Sequence, residues 1–107
     1  MAYREQGLGD RVSFLLPSLK LKPFEGEVHG FLVAEFGGYT VAAGNIFGYW
    51  KDDSSGGESY GEHRLFTVAV SESEKLEGLK EFLARLAARL GEKTIYAEIG
   101  GRAVLIS

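Results

Sequence analysis

The chain has 107 residues, 45% of them hydrophobic and 25% charged, the size and balance of one globular domain, which excludes a disordered chain or a two-domain protein. Twelve basic side chains against fifteen acidic ones leave a net charge of −3, and no Lys/Arg run suited to a phosphate backbone occurs, so nucleic acid is not an expected partner. Cysteine is absent, which excludes disulfides, thiolate metal sites and cysteine nucleophiles.

No stretch approaches the ~20 apolar residues that span a bilayer. The opening MAYREQGLGD has no apolar signal-peptide core, so the expectation is a cytoplasmic protein without a membrane partner. One Asn (Asn45), one Gln (Gln6) and a single Met, beside abundant Glu, Lys and Arg, point to a thermophilic source.

In chain order, residues 1–10 read as a flexible polar lead and 11–107 as one domain. From Arg11 to Leu19, Val12, Phe14 and Leu16 alternate as on a strand, and Pro17 ends it or marks an edge. Pro23 fits the first turn of a helix in which Phe24, Val28, Phe31, Leu32 and Phe36 recur at near-helical spacing, despite Gly26 and Gly30. Gly37-Gly38 stops it.

Tyr39 to Trp50 reads as a second strand, apolar at both parities and therefore covered on both faces, with Gly44 and Gly48 marking a bend. Lys51 to Glu62, KDDSSGGESYGE, reads as a long mobile loop at 51–62, the kind of segment that carries function. Arg64 to Ser71 is a third strand: Phe66, Val68 and Val70 point one way, and the small Thr67, Ala69 and Ser71 share the other face with Leu65. That mild second face suits partial cover by another chain.

Ser71 with Glu74 has capping-box spacing. The helix that follows, to about Leu90, carries Leu76, Leu79, Phe82, Leu83, Leu86 and Leu90 on one stripe, with Gly91 as its stop. Thr94–Ile99 and Arg102–Ile106 form a hairpin about Gly100-Gly101. The order β-α-β-β-α-β predicts an α+β, ferredoxin-like split β-α-β antiparallel sheet with two helices on one face and an extra C-terminal hairpin strand.

VAAGNIFGYWKDD followed by EHRLFTVAVSESEKLEGLKEFL resembles the layout of PII-like signalling proteins and their trimeric relatives of the CutA type: a small-residue strand, an aromatic end, an acidic turn, then a strand before a capped helix. Gly44 stands where the CutA-type strand carries a cysteine. Gly38-Tyr39-Thr40-Val41, Gly48-Tyr49-Trp50-Lys51-Asp52 and Glu62 also resemble an uncharacterised bacterial family of the same topology. These resemblances imply a homo-oligomer, dimer or trimer, whose inter-strand loop carries interactions and whose subunit clefts hold ligands.

Four side chains are candidates for an aromatic ligand wall: Tyr39, Tyr49, Trp50 and Tyr60. Such rings stack on flat ligands, and they also fill cores and interfaces. Asp52, Asp53, Glu58, Glu62 and His63 supply oxygen and imidazole donors but match no ligand spacing, so no metal site is assigned. Glu62 and His63 are the candidate acid/base pair, with His29 a distant second, although neighbours on a strand point to opposite faces. Gly37-Gly38, Gly56-Gly57 and Gly100-Gly101 are explained by turns. The leading expectation is a homo-oligomeric module, PII-like and regulatory, that binds a small molecule or a protein partner; its cofactor is not legible. The alternatives are a small enzyme with a site between subunits, built from Tyr49, Trp50, Glu62 and His63, and a structural subunit without a small ligand.

Overall fold

The computed structural model describes residues 2–51 and 54–107. Strands β1 (Asp10–Pro17), β2 (Thr40–Val41), β3 (Ile46–Lys51), β4 (Glu58–Val70), β5 (Ile95–Ile99) and β6 (Arg102–Ile106) are joined by helices α1 (Ser18–Leu21), α2 (Glu25–Phe36) and α3 (Ser73–Leu90), with a 3-10 turn over Lys22–Phe24. The sheet is six-stranded in the order β2-β4-β1-β5-β6, with β3 also on β4, and every pairing is antiparallel. This is the ferredoxin-like α+β arrangement predicted from the element order.

Register decides which residues form the core. Val12 pairs with Val68 and Phe14 with Phe66, and cross-strand partners share a face. That face meets α2 through Val28 and Leu32 and α3 through Leu79, Phe82, Leu83 and Leu86, all buried. The Phe14 and Phe66 rings stack at 5.5 Å, and Phe31 of α2 stacks on Phe82 of α3 at 3.9 Å, tying the helix layer together. The helix stops act as the glycines suggest: Gly37 and Gly91 take φ of 77° and 72°, and their N–H groups return to Val33 and to Ala87 and Ala88. The capping box at Ser71 does not form. Helix α3 starts at Ser73, Glu72 takes the N-cap without a side-chain bond, and Ser71 lies one residue too early to reach in.

Two segments depart from expectation. The second strand is broken, because Val41 pairs with Phe66 while Ile46 pairs with His63. Residues 42–45 thus oppose only 64–65, a bulge that turns the chain by adding unpaired backbone. The Ala42 N–H still reaches the Leu65 carbonyl at 2.9 Å, and the Ser18 hydroxyl donates to Asn45 Oδ1 at 2.7 Å. The 51–62 loop is shorter than its composition suggests: Glu58 to Glu62 are the first residues of a 13-residue β4, paired with Phe47 to Lys51. A strand of glycines, hydroxyls and acids lacks alternation because neither of its faces packs on the core.

Strand β1 reaches only as far as His63 on β4. Beyond that point β3 and the first five residues of β4 form a two-stranded ribbon that leaves the sheet, adding about 17 Å at ~3.4 Å per residue. The protein measures 58 × 27 × 27 Å with a radius of gyration of 15.1 Å, against about 13 Å for a compact domain of this length. Among the described residues no helix is long and apolar enough to cross a membrane.

Candidate functional site

The ribbon has two unlike faces. Phe47, Tyr49 and Lys51 of β3 pair with Glu62, Tyr60 and Glu58 of β4, which places these side chains together on the helix side of the sheet plane, past the helices. The Phe47 and Tyr60 rings stack at 6.0 Å and those of Tyr49 and Tyr60 lie at 5.2 Å. All three remain open to solvent, at 54%, 71% and 53% exposure for Phe47, Tyr49 and Tyr60. The Tyr60 hydroxyl donates to Glu62 Oε1 at 3.2 Å. Desolvation first, then that bond and the Glu62 charge, hold the phenol above its ordinary pKa, so it serves as a donor rather than a base.

On the other face Gly48 pairs with Gly61, a strip without side chains, and the Trp50 indole lies along it. A β-carbon on Gly48 would stand 2.9 Å from Trp50 Cζ3; one on Gly61 would stand 2.7 Å from His63 Cε1 and 3.0 Å from Trp50 Cη2. The Trp50 and His63 ring centroids are 5.7 Å apart. His63 is 8% exposed, and its buried Nδ1 has no hydrogen-bond partner among the described residues. Glycine here is the condition for the indole to pack.

The four expected wall residues therefore do not form one wall. Tyr49 and Tyr60 meet, Trp50 turns to the opposite face, and Tyr39 lies on the body of the domain. The Tyr39 ring stacks on Phe66 at 5.8 Å, and its hydroxyl shares a hydrogen bond with His29 Nδ1 at 2.9 Å. Glu62 and His63 also divide between the faces, since Glu62 pairs with Phe47 and His63 with Ile46, as neighbours on a strand do. Among the described residues no His/Asp/Glu group is placed to hold a metal ion. Asp52 and Asp53 lie outside the described residues.

Two features were missed at the sequence level. Phe47 completes the aromatic cluster, and its spacing of two from Tyr49 would have shown it once the strand was placed. Charge is the other: between Ile46 and Glu62, Lys51 stands against Asp52, Asp53, Glu58 and Glu62, which accounts for the whole net charge of −3.

Next to the ribbon's root is a cleft of ≈ 200 Å³ lined by Leu21, Glu25, Val28, Tyr39, Val41, Arg64 and Phe66. Arg64 Nε and Nη2 both donate to the Ala42 carbonyl, at 3.3 and 3.1 Å, so the bulge in the β2–β3 strand fixes the guanidinium. The outer sheet face is open: Ser13 and Thr67 share a hydrogen bond at 3.0 Å, flanked through the register by Leu15, Leu65 and Ala69, with Arg11 opposite Ala69 and Glu98 opposite Ser13.

No family model matches the chain. No curated protein sequence matches it either. Among solved structures, a phage SAM lyase in complex with S-methyl-5'-thioadenosine is similar over 100% of this chain and 95% of its own, with a TM-score of 0.65 at 12% identity. That likeness is one of fold.

Proposed function

We propose that the protein is a homo-oligomeric binding module of the PII-like kind, joined to its own copies through the β3–β4 ribbon and carrying its ligand or partner beside that junction. The carrying observation is the ribbon itself: beyond His63, among the described residues, it has one strand pair, unpaired backbone on both outer edges, and rings exposed on both faces. An isolated two-stranded hairpin is marginally stable in water. Free edges invite further strand pairing, and exposed aromatic clusters are typical of interface cores. A second copy would bury the Phe47–Tyr49–Tyr60 cluster. The test is solution mass: replacing Tyr49 by Lys puts a charge into the contact and shifts an oligomer to monomer. A wild-type protein that is monomeric at micromolar concentration overturns the proposal.

A second reading, an enzyme with a site between subunits, is favoured by the fold likeness to a SAM lyase and by the Tyr60–Glu62 pair beside two further rings. Its residues would be Tyr49, Tyr60 and Glu62, with Trp50 and His63 across the ribbon supporting their strands. Incubation with SAM tests it: release of S-methyl-5'-thioadenosine that Glu62→Gln abolishes supports an enzyme, and no turnover rejects this substrate.

A further inference from the structure

We infer that the cleft between α2 and the β2–β4 edge is a binding site for a small zwitterion, an α-amino acid with an apolar side chain. Three observations converge. Its floor is apolar and rigid, made by Leu21, Val28 and Phe66, each less than 7% exposed. Its rim carries opposite charges, the Arg64 guanidinium and the Glu25 carboxylate. These two line one cleft without forming an ion pair, and each lacks a salt bridge among the described residues. Its wall is Tyr39, fixed by Phe66 below and by His29 at the hydroxyl.

The Arg64 head is held by two of its N–H groups on the Ala42 carbonyl. Its remaining donors form a preset fork for a carboxylate, the geometry in which a guanidinium binds most specifically. Glu25 at the start of α2 then meets an ammonium group. Between them the apolar floor takes a short hydrocarbon side chain, the pattern of a mostly apolar pocket with a few oriented polar groups. The cleft's ≈ 200 Å³ is below the ~300 Å³ at which sites for drug-sized ligands begin, a size suited to a free amino acid.

All these residues belong to one chain, so the site does not depend on the ribbon contact; binding is read by heat and assembly by mass. The experiment is titration calorimetry of the full chain with L-leucine, paired with isovalerate and isopentylamine, which each keep one of its two charges. L-leucine is expected to bind at one per chain, and each single-charge analogue about tenfold or more weaker, the loss expected for one charged hydrogen bond. Glu25→Gln, an exposed change at a helix start, is expected to weaken L-leucine about tenfold or more while leaving isovalerate unchanged; Arg64→Gln should weaken both. No heat with L-leucine, L-valine or L-methionine at millimolar concentration overturns the inference. So does L-leucine binding that Glu25→Gln leaves intact, or isovalerate binding as tightly as L-leucine.

Discussion

Replacing Gly61 by Ala tests the packing of the ribbon with a single methyl group. Gly61 is not among the glycines with positive φ, so its backbone accepts alanine, and the restricted unfolded chain contributes about 0.4–1 kcal/mol in favour of the variant. The added carbon stands 2.7 Å from His63 Cε1 and 3.0 Å from Trp50 Cη2. His63 is 8% exposed and cannot retreat, whereas Trp50, at 47%, can swing outward. Overpacking of this kind costs about 1–3 kcal/mol, which leaves a net loss of up to roughly 2.6 kcal/mol after the entropy gain. Each kcal/mol lowers Tm by about 4–8 °C in a domain of this size. Because Trp50 is the single tryptophan, its fluorescence reports the displacement directly: the emission should shift to the red in the folded variant, and urea unfolding should begin earlier. Gly30→Ala is the comparator, since nothing lies within 4 Å of its would-be β-carbon, and in a helix interior it should stabilise by about 1 kcal/mol. A Gly61→Ala protein with unaltered emission and undiminished stability would refute the role assigned to the bare glycine strip.

Leu83 is fully buried under the sheet, and Leu83→Ala should cost about 2–5 kcal/mol by denaturant unfolding; a loss within about 0.5 kcal/mol, the range of surface changes, would place the core elsewhere. Tyr60 titrates above the ordinary tyrosine range through desolvation and then Glu62. In a Tyr96→Phe background, which removes the similarly raised Tyr96, Glu62→Gln should move phenolate absorbance to lower pH without abolishing the shift. The neutral phenol is the form the folded state favours, so its contribution is complete below the ordinary tyrosine pKa and disappears as pH climbs through the raised value. The Glu62→Gln protein should accordingly lose less stability on the alkaline side, and an unchanged titration would show that Glu62 does not reach the hydroxyl in solution.

What was legible in the sequence followed from burial. Helix α3 shows its stripe because Leu79, Leu83 and Leu86 meet a sheet, and β1 and β4 show period two where Phe14 and Phe66 face that helix layer. Gly91 and Gly100-Gly101 announced their turns because only glycine takes those backbone angles cheaply. The ribbon was illegible for the converse reason. Neither of its faces is packed by the domain, so Glu58 to Glu62 had no pattern to display, and the Gly48–Gly61 pairing is non-local. The meeting of Tyr49 with Tyr60, and their separation from Trp50, depended on a strand register that only pairing could reveal. The separation of Glu62 from His63, by contrast, followed from strand geometry alone. Tyr39 stands apart from the ribbon rings because the chain breaks at the bulge of residues 42–45 between β2 and β3, where the Arg64–Ala42 and Ser18–Asn45 bonds lie, and no local turn signal strong enough to read marks that break.

The most direct test of the central claim is the solution mass of the wild-type protein by sedimentation or native mass spectrometry at micromolar concentration, beside Tyr49→Lys. The account predicts a mass of two or three times the 11.7 kDa chain for the wild type and a single chain for the variant, with both retaining the same far-ultraviolet circular dichroism. A wild type at the mass of one chain, or a variant that assembles as the wild type does, would contradict it.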